Sequence, residues 1–231
     1  MAGLTITRVT HACVLLDFDG QAVLTDPWWA ERTIYRHGEP VGLAVADLPH
    51  LVGVTSTHAY HTHYDMLGFA AYPDKGVPIV VPPGAGTRAR KAGFRAVIEL
   101  APWETATLGP VRVTAAPGEH IIRENTYIYQ IADWTVYHSG DTVAIPSLAE
   151  IAQRFPRIDV AFMSITGQMI GLFINRQLSM RPEEAAELCA LLKPRIVVPI
   201  APDSGAVPIV DRLFLKRPGT PEAFAEALAR R

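Results

Sequence analysis

Residues 55–68 read Thr55-Ser56-Thr57-His58-Ala59-Tyr60-His61-Thr62-His63-Tyr64-Asp65-Met66-Leu67-Gly68. Three histidines and an aspartate fall within eight residues, in a chain that holds only eight histidines. The stretch follows the apolar run 51–55, which reads as a buried strand. A loop leaving such a strand can aim side chains into a cleft at the sheet edge. Imidazole and carboxylate are the donors that zinc and similar metals take. The plain alternative is a polar loop with solvated histidines, and the concentration of histidine at one place argues against it.

Two further residues lie at comparable positions. His120 ends Thr114-Ala115-Ala116-Pro117-Gly118-Glu119-His120, just past a strand-like run at 111–115. Asp141 sits in Tyr137-His138-Ser139-Gly140-Asp141-Thr142, where an apolar strand runs into Gly-Asp and leaves a carboxylate at the strand end. Each alone is an ordinary turn residue. Together with the first cluster they outline a metal site.

The rest of the chain supplies strands and helices around these loops. Short strand patterns occur at 4–9, 12–18, 22–25 and 79–81, with Asp19-Gly20 as a hairpin signal. Strands are expected again at 126–132, 135–138, 159–163 and 196–200. Helices are expected at 85–92, closed by Gly93, at 146–154, from Pro182, and at 221–230 behind Thr220-Pro221. Ala185, Leu188, Cys189 and Leu192 fall on one helical stripe. Sheets covered by helices are the implied α/β architecture. No composition break marks a linker, so residues 1–231 are expected to form one domain.

The 231 residues are 49% apolar with a formal net charge of −2, which gives ample core and no basic nucleic-acid footprint. Cys13 and Cys189 sit among apolar neighbours and read as core residues. No signal-peptide pattern or membrane-length apolar run is evident, so a cytoplasmic location without a membrane partner is expected.

His61-Thr62-His63-Tyr64-Asp65, then His120, then Ser139-Gly140-Asp141-Thr142, in this order, resembles the metallo-β-lactamase superfamily. The likeness is closer to its bacterial branch of metal-dependent hydrolases, which includes the L-ascorbate-6-phosphate lactonase type. Leu24-Thr25-Asp26-Pro27-Trp28, Met180-Arg181-Pro182-Glu183-Glu184-Ala185 and Val197-Val198-Pro199-Ile200 are similar to that branch as well. The resemblance covers nearly the whole chain. It implies a four-layer αβ/βα sandwich with metal between the sheets at one edge.

Two departures qualify it. The family motif continues with a histidine after the aspartate, where this chain has Met66. The family places a last histidine after the Val-Pro-Ile strand, where this chain has Ala201. Read in this register, His61, His63, His120 and Asp141 hold one metal. The second site keeps only Asp65 and Asp141, since a thioether such as Met66 replaces imidazole poorly. The reading is therefore a degenerate second site and one metal per chain. Zinc is the expected ion, with iron or manganese as alternatives. His58 and Asp203 are candidates to fill the gap in the second site.

The expected function is a metal-dependent hydrolase that uses a metal-activated water on a small lactone, ester or phosphoester. Asp65, freed of a full second site, is the candidate general base or water-orienting group. Trp28, Trp29, Tyr64 and Phe173 are candidates for an apolar mouth. Arg36, Arg123 and Arg176 are weaker candidates for meeting an anion. His11 and His138 read as structural residues near the site, Asp26 as a loop anchor, and His37 and His50 as surface residues. Residues 166–179 carry Met169, Ile170, Leu172, Phe173 and Ile174. This apolar stretch is expected to cover the site as a lid or to form a homo-oligomer contact. The alternatives are a mononuclear enzyme of non-hydrolytic chemistry, oxidation or isomerisation, and a non-catalytic metal- or ligand-binding protein.

Overall fold

The computed structural model describes residues 3–32, 35–171, 175–201, 204–206 and 215–231. The first sheet begins with three antiparallel strands, β1 (Thr5–Thr10), β2 (Cys13–Phe18) and β3 (Gln21–Thr25). Asp19 and Gly20 turn β2 into β3 with φ of +51° and +86°, the two positive values that a type I′ hairpin requires. After β4 (Tyr35–His37) come β5 (Leu51–Thr55), β6 (Ile79–Val81) and β7 (Val97–Glu99). These last three run parallel to β3, and the sheet order is β1-β2-β3-β5-β6-β7.

The second sheet contains β8 (Thr105–Leu108), β9 (Val111–Glu119), β10 (Arg123–Ile131) and β11 (Trp134–His138) as antiparallel neighbours. Strand β12 (Val160–Ser164) joins β11 in parallel. Two short strands follow, β13 (Met169–Ile170) and β14 (Arg176–Gln177), and then β15 (Ile196–Ile200) pairs in parallel with β12. Outside the main sheets, β16 (Ser204–Ala206) pairs with β4. Strand β17 (Leu215–Lys216) completes a ribbon of order β14-β13-β17.

Side-chain alternation decides the layering. Leu16, Phe18, Val23 and Val80 of the first sheet pack against Val113, Tyr127, Tyr129 and Phe162 of the second. The outer face of the first sheet buries Leu24, Val54 and Ile79 against Phe69 of α1 (Met66–Phe69), Ala89 of α2 (Gly86–Lys91) and Phe94. The outer face of the second sheet buries Ile128, Ala161 and Met163. Its cover is Ile151 of α3 (Ala149–Arg154), Leu188 and Cys189 of α4 (Pro182–Leu192), and Phe224 of α5 (Pro221–Ala229). The result is the four-layer αβ/βα sandwich. Thr220 starts α5 by accepting a hydrogen bond from Ala223 N at 3.2 Å, and proline occupies the first turn of α4 and of α5. No described helix is long and apolar enough to cross a membrane.

One difference from the sequence pattern bears on the site. Strand β9 runs on through Ala116-Pro117-Gly118-Glu119, and β10 starts at Arg123 rather than 126. Asn125 pairs with Pro117, which has no N–H to give, and donates its own N–H to Thr57 O at 2.9 Å in the opposite sheet. That bond ties β10 to the loop after β5. It also carries Glu124 beside His58, with which it forms an isolated bridge.

Candidate metal centre

The parallel strands β3, β5, β11 and β12 end at one edge, where ligands of α/β sheets collect. Ser56, just past β5, folds the histidine loop by donating its hydroxyl within reach of His58 O (2.9 Å) and His63 O (3.0 Å). Asp26, just past β3, accepts from Thr57 N (2.7 Å) and Thr57 Oγ1 (2.8 Å). Gly140 delivers Asp141 with φ +56°. A Cβ there would lie 2.5 Å from Glu124 Oε1 and 2.8 Å from Thr57 Cβ, so only glycine fits this turn. Asp141 N donates to Glu124 Oε1 at 2.8 Å. His138 Nδ1 accepts from Gly140 N at 3.1 Å, beneath the same turn.

Among the described residues two groups of donors result, and they share Asp141. His58, His120 and Asp141 form one, and His11, His63 and Asp141 form the other; within each group the ligand atoms lie within 4.8 Å of one another. Ligands at 2.0–2.1 Å around a tetrahedral zinc stand roughly 3.3 Å apart, so side-chain adjustment alone closes either set. Each group has an outer carboxylate. Asp26 Oδ2 lies 2.8 Å from His63 Nδ1, and Glu124 Oε1 lies 3.2 Å from His58 Nδ1. Such a partner fixes the ring and its tautomer, turning the other nitrogen to a metal. His63 Nε2 stands 3.1 Å from Asp141 Oδ2, while His58 Nε2, His11 Nδ1 and His120 Nδ1 are buried without hydrogen-bond partners among the described residues. Buried polar atoms of this kind require an occupant, and nitrogen lone pairs converging on a carboxylate fit a cation.

Electrostatics favour the same occupant. Burial, reinforced by His63, lowers the His58 pKa well below the ordinary value, and the same causes lower that of His11 to about 3. Burial lowers that of His120 to about 4. Burial also acts to lower that of His63, but Asp141 and Asp26 outweigh it and push it up to about 10. Burial acts to raise the Asp141 pKa, yet the neighbouring His63 holds it well below the usual carboxylate range. Three neutral imidazoles and one carboxylate held as an anion are the protonation states that metal ligands need, whereas His63 holds a proton that a metal has to displace.

A cavity of about 130 Å³ opens onto the donors. His11, His58, Tyr60, Thr62, His120 and Asp141 form its floor and near wall. Tyr35, Ile121, Gln168, Ile170, Leu178 and Leu215 close the remainder. Tyr60 donates its hydroxyl to Tyr35 at 2.6 Å.

Several expected site residues stand elsewhere. His61 is absent from both donor groups and packs among Trp28, Tyr35 and Tyr60. Asp65 is committed to backbone: it accepts from Trp29 N (2.9 Å), Ala30 N (2.6 Å) and Gly68 N (3.0 Å), which caps α1, and it does not line the cavity. Tyr64 points into the outer core, where its hydroxyl accepts from Ala89 N at 3.2 Å. Trp29 stacks on Phe69. Trp28 is fully buried between His11, His37 and His61, beneath the site rather than at its mouth. Met66 is a core residue of α1. Arg176 donates to His120 O at 3.2 Å, and Arg123 to Pro83 O at 3.1 Å. Phe173 and Asp203 lie outside the described residues. The residues brought together are His63, His120, Asp141 and His58, with His11 and Glu124 as additions.

A model of the beta-lactamase superfamily domain matches residues 5–201. The chain belongs to the metallo-β-lactamase superfamily. A UPF0173 metal-dependent hydrolase of Pyrococcus furiosus is 25% identical over 214 residues, covering 84% of this chain and 83% of the relative. Among solved structures, a possible metal-dependent hydrolase from Veillonella parvula has a TM-score of 0.78 at 16% identity, over 100% of this chain and 93% of that one. CmlA, a diiron β-hydroxylase from Streptomyces venezuelae, has a TM-score of 0.71 at 20% identity, over 87% of this chain and 45% of that one. The chain spans about half the length, 53%, of the first curated relatives it matches. Residues 58, 60 and 62 line the cavity, whereas His61 and Met66 do not.

Proposed function

We propose that this protein is a metal-dependent hydrolase of a small lactone, ester or phosphoester. The observation that carries the reading is the convergence of His58, His120 and Asp141 on a cavity of about 130 Å³ beside a second donor group. Zinc suits a set of neutral imidazoles and one carboxylate. When bound, such an ion supplies Lewis acidity and an acidified water as nucleophile. The chain's own residues supply the remainder. Glu124 orients His58, and Asp141 is held by its N–H on Glu124 and by Ser164 Oγ, 3.4 Å from Oδ1. Thr62 lines the cavity beside the donors, where its hydroxyl can orient a carbonyl or phosphoryl oxygen, while Tyr60 spends its own proton on Tyr35.

Ile170, Leu178 and Leu215 wall the cavity and narrow it against polymers, which supports a lid reading for the described part of residues 166–179. The expected cytoplasmic location stands with this proposal. The test is a panel of lactones, carboxylic esters and phosphoesters assayed with metal-loaded protein. Hydrolysis of one class, lost by more than about 100-fold in His120→Ala with the fold intact, is the expected result. Unchanged turnover in that variant would refute the reading. A second reading, oxidative chemistry at iron, draws support from the paired donor groups and the structural likeness to a diiron β-hydroxylase. Iron as the dominant metal in protein purified without added metal would favour it.

A further inference from the structure

We propose that His11 is a metal ligand, and that through it this chain keeps a second metal position beside the first. The inference rests on the metal-centre reading above and goes beyond it, since the loop after β1 has no motif character. His11 is 4% exposed, lines the cavity, and shares a donor group with His63 and Asp141. Its ring packs edge-on against His63 at 5.0 Å and against Trp28 at 5.4 Å. Nδ1 is buried without a hydrogen-bond partner among the described residues.

The backbone around His11 is built to hold that ring. The residue adopts φ +48°, a conformation that costs a non-glycine residue energy and survives only where its surroundings fix it. Here they do. His11 N donates to Glu39 Oε1 at 2.8 Å, and His11 O accepts from Ala201 N at 3.3 Å. The next carbonyl, Ala12 O, accepts from Thr25 Oγ1 at 3.0 Å and lies 3.2 Å from His138 Nε2. Both backbone polar groups of His11 are satisfied, while Nδ1 of its ring finds no partner among the described residues. A ring placed only for packing would expose its nitrogen to solvent or pair it. Position 201 is the place where a terminal imidazole was expected, and it holds a buried alanine whose N–H rests on His11. The imidazole therefore comes from the N-terminal hairpin instead of from the loop after β15.

Metal titration of the full chain followed by elemental analysis tests this, together with Co²⁺ spectra. Wild type is expected to take two equivalents of Zn²⁺ or Co²⁺. His11→Asn, which tolerates a positive φ, is expected to keep its fold and fall to one equivalent. His11→Cys loaded with Co²⁺ is expected to show a thiolate-to-metal charge-transfer band absent from wild type, whose own buried Cys13 provides the background. A packing residue would give no such band. The proposal is overturned if His11→Asn retains two equivalents with unchanged affinity, or if His11→Cys shows no band while still binding metal. Two equivalents lost from His58→Ala, with His11→Asn unaffected, would overturn it while leaving the metal-centre reading intact. Wild type that takes up no metal would overturn both.

Discussion

Asp26→Asn puts the logic of the site to a direct trial. Asp26 is buried and accepts three hydrogen bonds: Thr57 N on Oδ1, and Thr57 Oγ1 and His63 Nδ1 on Oδ2. Asparagine has one acceptor oxygen and one NH₂. If the oxygen takes the Oδ1 place, the NH₂ faces His63 Nδ1, and the ring must move its proton to Nε2, the nitrogen 3.1 Å from Asp141. That tautomer cannot ligate, and loss of an outer partner of this kind costs about 10–100-fold in metal affinity. If the oxygen takes the Oδ2 place, the NH₂ opposes Thr57 N–H, and an unpaired buried donor costs about 1–3 kcal/mol. For a chain of this size that corresponds to roughly 2–12 °C in Tm. The substitution is therefore expected to lower affinity or stability, and the two can be separated. A chelator-competition titration reads the first and thermal melting of metal-free protein reads the second. Affinity within about twofold of wild type, together with a Tm unchanged to about 1 °C, would show that Asp26 does not orient His63 and that the assignment of outer carboxylates is wrong.

His61→Ala is expected to keep wild-type metal content by elemental analysis, because His61 packs among Trp28, Tyr35 and Tyr60 and belongs to neither donor group; loss of metal would restore the register that begins at His61. Asp65→Asn is expected to lower stability by about 1–3 kcal/mol in chemical denaturation while metal binding persists, since three backbone N–H groups depend on its carboxylate; a large fall in turnover with unchanged stability would return it to the catalytic list. Metal-free protein is expected to lose stability as pH falls below about 6.5, because His11, held at about 3, and His120, held at about 4, resist protonation in the fold and accept it when unfolded. His63 runs the other way: its pKa is raised to about 10, so its contribution is present below about 6.5 and fades as pH rises toward that value. A melting temperature that climbs steadily on acidification from pH 6.5 to 4 would contradict this balance. Metal removal with a chelator is expected to lower Tm, since a ligand at 100 times its Kd adds about 2.7 kcal/mol; an unchanged Tm in protein shown to be metal-free would mean that the ion does not brace the fold.

The fold was legible because its signals are local. Asp19-Gly20 dictates a hairpin, Thr220-Pro221 and Pro182 open helices, and short apolar runs such as that of β2 mark strands buried on both faces. The chemistry of the site was legible too, since histidine is scarce and concentrated. Its register was not. Residues 58, 61 and 63 carry the same side chain, and local pattern cannot say which rings turn inward. That is decided by contacts far apart in sequence: Thr57 N on Asp26, Asn125 N on Thr57 O, Glu124 beside His58. Glu124 had no local mark because β10 was expected to begin two residues after it, and only the pairing of Asn125 with Pro117 brings it into the strand. The sequence reads His11 as a structural residue near the site, because its placement depends on a left-handed backbone that no residue type announces.

The distribution of donors over the two sheets gives the arrangement its physical sense. His11, His58 and His63 leave the first sheet, and His120 and Asp141 leave the second. Each donor group therefore spans the sandwich, and an ion in either one ties the two sheets together at the edge where the cavity opens. The outer carboxylates follow the same rule. Asp26 serves its own sheet's His63, whereas Glu124 comes from the second sheet to hold His58 of the first and, through Asp141 N, the shared carboxylate. The carboxyls are costly side by side: burial and Asp141 drive the Glu124 pKa well above the ordinary range, as expected for a carboxyl placed beside another carboxylate away from water. A cation between His58, His120 and Asp141 offsets that repulsion. The fold thus concentrates acids and neutral imidazoles that are unfavourable without an ion, and spends core packing elsewhere to keep them in place.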